Sequence, residues 1–184
     1  IPEIFDPESQ NLTPPYNFSL GKALNQFPPI TTALNLLNFF GTTLRFETVS
    51  HLLRSPLIAG WKQECGARAL LDVKLREIGE PVFTIDTLID FCVRFDRNTA
   101  CPIFLQQLQS IKKWVTVNYN AAKPGQWSSR IDHFLKMMGW LEDYSSPHEI
   151  FQLIGAWREL LAEFAALDWV MGEMTAIDAI GLLS

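Results

Sequence analysis

Between residues 52 and 79 the chain reads LLRSPLIAGWKQECGARALLDVKLREIG, with Arg54, Arg68 and Arg76 interleaved with Glu64 and Asp72. Guanidinium groups at this density can grip phosphate oxygens through their planar donor forks, or bind carboxylates across a seam between helices. On a helix turning about 100° per residue, Arg68, Asp72 and Arg76 fall at about 40°, 80° and 120° from Glu64. That is a drifting ladder of alternating sign. Ala67, Leu71 and Ile78 fall at about 300–340° and Leu75 at about 20°, which puts the ladder along the flank of the apolar face. Exposed acid–base pairs at i,i+4 contribute only about 0.2–0.5 kcal/mol each. The arrangement therefore reads as a brace that sets register between helices, with a phosphate grip as the alternative.

Other groups that could do chemistry are sparse. SLGK at residues 19–22 ends like a phosphate loop, but the rest of that motif is missing and Ala23 stands where a hydroxyl should follow. Asp72 and Lys74 share the acidic-x-Lys spacing of metal-dependent nucleases, yet sit in mid-helix without a further carboxylate on a strand. Asp86 and Asp90 lie at i,i+4 with Asp96 beyond. A divalent ion could bind there, but no Glu-x-x-His motif accompanies them, and a solvated acidic face is the preferred reading. His51, His133 and His148 belong to no nucleophile motif and read as surface residues. Trp114, Trp127 and Trp157 fall on apolar stripes and read as core. No catalytic, cofactor-binding or metal-binding constellation emerges, and the expectation is a non-enzyme without cofactor.

Composition narrows the class further. The 184 residues are 48% hydrophobic, too apolar for a disordered chain. A net charge of -5 gives no global basic field of the kind nucleic-acid domains carry. Cys65, Cys92 and Cys101 form no CxxC pair and read as small core residues in a reducing, cytoplasmic setting. No apolar run reaches the roughly 18–20 residues that a membrane span needs. The start at Ile1 suggests a processed chain or a segment of a longer polypeptide.

The elements that must position these residues follow from punctuation and period. Residues 1–28 hold Pro14-Pro15 and two further prolines in the first eighteen positions, which excludes a helix. They are expected as an extended arm, strand or surface-hugging, anchored by Ile4, Phe5, Tyr16 and Phe18. Residues 29–184 are expected as a helical domain. A stripe of Ile30, Ala33, Leu34, Leu37 and Phe40 predicts a helix stopping at Gly41. Helices are expected over 46–53, 61–78 (closed by Gly79) and, behind a Thr84 cap, along Ile85, Leu88, Ile89, Cys92 and Phe95. Further helices are expected over 102–120, 127–140, 147–171 behind a Ser146–Glu149 capping box, and from Thr175 to Leu183. Lys123-Pro124-Gly125 is the candidate break between subdomains. The fold class is all-α, a bundle of about seven or eight helices.

The same residues carry a resemblance. Ser19, Leu20, Gly21, Leu24 and Pro28 match L-S-L-G-x-x-L-x-x-x-P; Leu52–Leu57 match LLRSPFL with Leu57 for Phe; Glu64, Arg68, Ala69, Leu71, Asp72, Leu75 and Arg76 match E-x-x-x-R-A-x-L-D-x-x-L-R. Gly139-Trp140, Ser146, Glu149, Gln152, Trp157 and Leu167-Asp168 follow the later pattern, with Leu141-Glu142 in place of Pro-Gly. Over about residues 16–180 the chain resembles bacterial probable DNA repair proteins. These are long chains related to the inactivated helicase-like subunit of AddAB-type helicase–nucleases and, more distantly, to RecC.

The resemblance implies a helical 2B-like accessory domain, expected to brace motor-like domains and shape a DNA path. ATPase and nuclease motifs are missing from this stretch, so no catalytic residue carries over. Arg54, Lys62, Arg68 and Arg76 are the candidate contacts to the DNA backbone. Glu64, Arg68, Asp72 and Arg76 form the structural motif. The implied partners are the remainder of a longer chain with motor-like and nuclease domains, DNA, and a helicase partner subunit, with no membrane. A helical protein-interaction module without nucleic-acid contact is the rival reading, and a helical metalloenzyme using Asp86, Asp90 and Asp96 is a third.

Overall fold

Pro28 and Pro29 set where the first helix begins, because the N–H that proline lacks has no partner in a first turn anyway. Helix α1 runs Pro28–Leu37 with Phe27 as its N-cap. The computed structural model describes residues 23–94, 101–144 and 147–184. Among them seven further helices follow: α2 (Phe46–Arg54), α3 (Trp61–Ile78), α4 (Ile85–Arg94), α5 (Pro102–Asn118), α6 (Pro124–Met137), α7 (Pro147–Ala166) and α8 (Ala176–Leu183). The protein is all-α. Most of the expected arm lies outside the described residues; its end forms a 3₁₀ turn at Leu24–Gln26.

One small sheet departs from expectation. β1 (Leu44–Arg45) and β2 (Val82–Phe83) pair antiparallel, Leu44 opposite Phe83. Two residues per strand are too short to display an alternating pattern, so no periodicity announces them. The pair clamps the entry of α2 against the exit of α3, and Phe46 N–H extends it by donating to Pro81 O at 2.9 Å.

Several helix boundaries differ from the sequence reading, and α5 and α6 also end early, at Asn118 and Met137. α1 gives way to a 3₁₀ turn at Asn38–Phe40, because the Asn38 amide donates to the carbonyls of Leu34 and Asn35. Side-chain competition of this kind tightens a helix end. α6 begins at Pro124 rather than 127, since Pro124 occupies the first turn and Gln126 Oε1 accepts from Lys123 N–H at 3.3 Å. The expected break at 123–125 is therefore a helix start. It is also tied down: Gly125 N–H donates to Asp168 Oδ1 at 2.7 Å, and Ala122 bridges to Met174. A cluster of buried residues reaches from Ile30 to Leu183 across this junction. α7 ends at Ala166 and a 3₁₀ turn, Leu167–Trp169, replaces its expected last residues. Phe95 and the side chains of the Ser146–Glu149 capping box fall outside the described residues.

The buried Phe40 ring meets Trp127 and Phe134 inside the core and Trp114 at its margin, with ring centroids 5.0–5.6 Å apart, mostly edge-on, the arrangement ring quadrupoles favour. Trp127 satisfies its indole N–H on Met174 O at 2.9 Å. Trp140 does the same on Pro29 O at 3.0 Å, which links α1 to the turn after α6.

That turn meets the 57–60 loop closely. Ala59 N–H donates to Gly139 O at 3.1 Å and Leu141 N–H to Leu57 O at 2.8 Å. Gly139 has φ +59°, and a Cβ there would lie 2.2 Å from Ala59 Cβ. Gly139→Ala combines about 1–2 kcal/mol of left-handed strain with an overpacking cost of about 1–3 kcal/mol. It is expected to lower the urea midpoint by the equivalent of more than about 2 kcal/mol. Gly66→Ala, in α3 with open space around it, is expected to raise stability by about 0.5–1 kcal/mol.

Candidate functional site

Helix α5 starts without a side-chain cap of its own; Cys101 holds the N-cap position. Its first free amides are satisfied from α3 instead. The Glu64 carboxylate accepts from Ile103 N–H at 2.5 Å and Phe104 N–H at 3.1 Å, where the helix dipole also favours a negative charge. Arg68, one turn on, holds that carboxylate through Nε at 3.0 Å and Nη2 at 2.9 Å. Nη2 also donates to Ala59 O at 2.8 Å, and the guanidinium lies 5.2 Å from the Phe104 ring centre. Gln107, one turn into α5, donates to Ala59 O and Met138 O. Asp143 accepts from Gly60 N–H at 2.9 Å. The buried pair thus gathers α3, the N-terminus of α5 and the 57–60 loop, and Gln107 and Asp143 add the turn after α6.

This corrects two expectations. Arg68 is 0% exposed and Glu64 4%, so Arg68 has no surface to offer a phosphate and leaves the set of candidate DNA contacts. The ladder is also not on the flank of the apolar face. Glu64, Arg68, Leu71, Asp72 and Leu75 together are the buried face of α3, while Leu70, Val73 and Ile78 are exposed.

A second cluster joins α2 to α3. Asp72, nearly buried, takes Arg76 Nη2 at 3.3 Å and Arg54 Nε at 3.9 Å on one oxygen. Arg54 also donates to Ser50 O at 3.0 Å, and Arg76 packs over the Phe46 ring at 5.0 Å. Both guanidinium side chains remain well exposed, 61% and 58%. Lys62 is exposed too, but ten residues of helix separate it from Asp72, about 15 Å along the axis. The fold brings together Arg54 and Arg76 and leaves Lys62 apart.

Beside Arg54 opens a groove of about 510 Å³ lined by Thr32, His51, Ser55, Leu57, Tyr144 and Leu153, among others. His51 is half-buried, not a surface residue, and meets Thr32 Oγ1 at 3.3 Å. Thr32 in turn lies 3.5 Å from Ser55 Oγ. Burial, and then the neighbouring Arg54 charge, hold the His51 pKa below its usual 6.5. This is a weakly basic histidine bonded to a threonine, without the nucleophile–base–carboxylate order of a hydrolase.

The remaining candidates are dispersed. Asp86 pairs with Lys112 on α5, and Asp90 with Arg94 at 3.8 Å; Asp96 lies outside the described residues. Among the described residues no three His, Cys, Asp or Glu converge as a metal set. Cys92 and Cys101 are buried and burial pushes their thiols up to about 12 and about 11. Cys65 is exposed, contrary to its reading as core. His133 lies over Trp114, 5.9 Å between centroids. Trp127 and Trp157 are buried as expected, while Trp114 packs half-buried at the margin. The His148 side chain and SLGK lie outside the described residues. No described helix is long and apolar enough to cross a membrane.

Sequence reasoning missed Gln107, Asp143 and Ala59 O. One signal was available: Cys101-Pro102 opens a helix without Ser, Thr, Asp or Asn at its cap, so a distant acceptor is needed. Comparison with protein-family models, with curated proteins and with solved structures gave no match for this chain.

Arg68→Ala strands Glu64 in the interior and is expected to cost about 3–5 kcal/mol. Arg54→Ala should change stability by less than about 1 kcal/mol, as exposed pairs do. Chemical denaturation separates the two. His51 binds its proton more weakly folded than unfolded, so its contribution is present above pH 6.5 and is lost as pH falls below that value. His51→Gln should flatten that part of the stability–pH curve.

Proposed function

We propose that this chain is a non-catalytic helical accessory domain of a helicase- or exonuclease-like DNA repair protein. It braces motor-like domains and meets the DNA backbone through Arg54, Arg76 and, separately, Lys62. The observation that carries the reading is the fate of the motif on which the resemblance rests. Of the seven residues of α3 that match, Glu64, Arg68, Leu71, Asp72 and Leu75 are buried and do architectural work, while Ala69 and Arg76 are exposed. Arg54 and Arg76, both facing solvent, share a single carboxylate and leave one positive charge uncompensated there. The remainder of a longer chain and a helicase partner subunit are the proposed neighbours, in a cytoplasmic setting.

A fluorescent duplex–single-strand junction titrated with the 184-residue chain at low salt tests this role. Arg54→Glu with Lys62→Glu is expected to weaken binding at least tenfold. Its logarithmic salt dependence should flatten by about one unit for each phosphate that is no longer neutralised. Undetectable binding at low salt overturns the DNA contact. It would leave the second reading, a protein-interaction module, which the exposed apolar residues of the C-terminal end favour.

A further inference from the structure

Arg54 is held through one of its three nitrogens. Nε donates to Ser50 O at 3.0 Å and faces Asp72 at 3.9 Å, while neither Nη has a hydrogen-bond partner among the described residues. The Asp72 carboxylate is shared with Arg76 at 3.3 Å, so one negative charge stands against two positive ones. A guanidinium with both Nη groups unengaged presents the planar fork that clasps a carboxylate through two parallel bonds.

That side chain lines the groove of about 510 Å³, within the range of about 300–1,000 Å³ that small-molecule sites occupy. The start of α1, the end of α2 with the residues that follow it, and the first half of α7 all contribute to its lining. Phe27, Pro29, Leu57 and Leu153 supply apolar wall. Among the described lining residues Arg54 is the one permanent charge, and none is Asp or Glu. Thr32 and Ser55 are nearly buried and are occupied with each other and with His51. His51 is itself held toward its neutral form by burial and by Arg54. The result is a single cation beside an apolar cleft.

Charge and wall together select the ligand. A cation would meet Arg54 with no counter-charge on the lining, and a neutral apolar molecule would leave both Nη groups unanswered. An anion of higher charge would find no second cation there. We propose that this groove binds a small organic monoanion, a carboxylate on an aliphatic or aromatic body, its carboxylate on the Arg54 Nη groups and its body against Phe27, Leu57 and Leu153. The site goes beyond the DNA reading: the two share Arg54, but Lys62 has no place on the groove lining.

Calorimetric titration of the full chain with octanoate, octanol and octylamine tests the site. Octanoate is expected to bind with a Kd below about 1 mM, at least tenfold tighter than octanol, with no binding of octylamine. Arg54→Gln should abolish the preference for octanoate over octanol. In NMR spectra the His51 ring resonances should move on addition of octanoate, while those of His133, stacked on Trp114, stay in place. Lys62→Glu should leave octanoate affinity within twofold while weakening the DNA junction, which separates the two uses of Arg54. No heat from octanoate up to about 5 mM, equal affinity for octanol, an undiminished preference in Arg54→Gln, or an unmoved His51 ring would each overturn the proposal.

Discussion

A fully buried guanidinium has to be answered from several directions at once, and Arg68 is answered by Glu64 on its own helix and by the Ala59 carbonyl of the preceding loop. Because Glu64 also caps α5, the angle between α3 and α5 is fixed by the same carboxylate that neutralises the charge. Gly60 shows how tight this is. Its φ of +82° aside, a Cβ there would sit 2.9 Å from Arg68 Nη2 and 2.6 Å from Ile103. Burying two ions costs several kcal/mol each before their attraction is counted. Arg68 Nη1 and Gln107 Oε1 are buried without a hydrogen-bond partner, so the pair is a poor net source of stability. Its contribution is geometric: the carboxylate that holds Arg68 also accepts from the first amides of α5, so displacing α3 against α5 breaks both sets of bonds.

That distinction explains what the sequence makes legible. Helix α3 can be read to its ends, Trp61–Ile78, because Gly79 and Pro81 follow it and its left-handed glycine caps are local signals. The Thr84 and Thr175 caps are legible for the same reason. The ladder is legible as a brace but not as the buried face, since helical projection ranks side chains by hydropathy and has no way to see that a backbone terminus will meet them. Glu64 finds its amides 39 and 40 residues away. Lys123-Pro124-Gly125 reads as a break and folds as a helix start, because a proline serves alike as a stop and as a first turn. What decides between them is Asp168, forty-three residues beyond Gly125.

The fate of the reactive groups follows from the same packing. Cys92 and Cys101 lie in the interior where a thiolate is disfavoured. Asp86, Asp90 and Asp132 are each matched by a lysine or arginine at the surface. Glu64 and Asp72, the two buried carboxylates among the described residues, face arginines. A carboxylate so matched is a poor general base and a poor ligand for a cation, since it must first give up a partner.

Matching also limits how the body of the protein can attract anything. With equal numbers of acids and bases over residues 1–158, long-range steering of a charged partner toward that region is weak. Contact with a polyanion there must come from cations that can be released cheaply at short range. Arg54 meets that condition: its distance to Asp72 is 3.9 Å and its side chain is 61% exposed, so the pair holds it by less than about 1 kcal/mol. Arg76 is held better, by a 3.3 Å contact to Asp72 and by the Phe46 ring. Arg68 cannot be released at all without dismantling the α3–α5 joint. One helix therefore carries arginines of the same motif in two different conditions, and the difference is set by which of them the backbone of α5 has claimed.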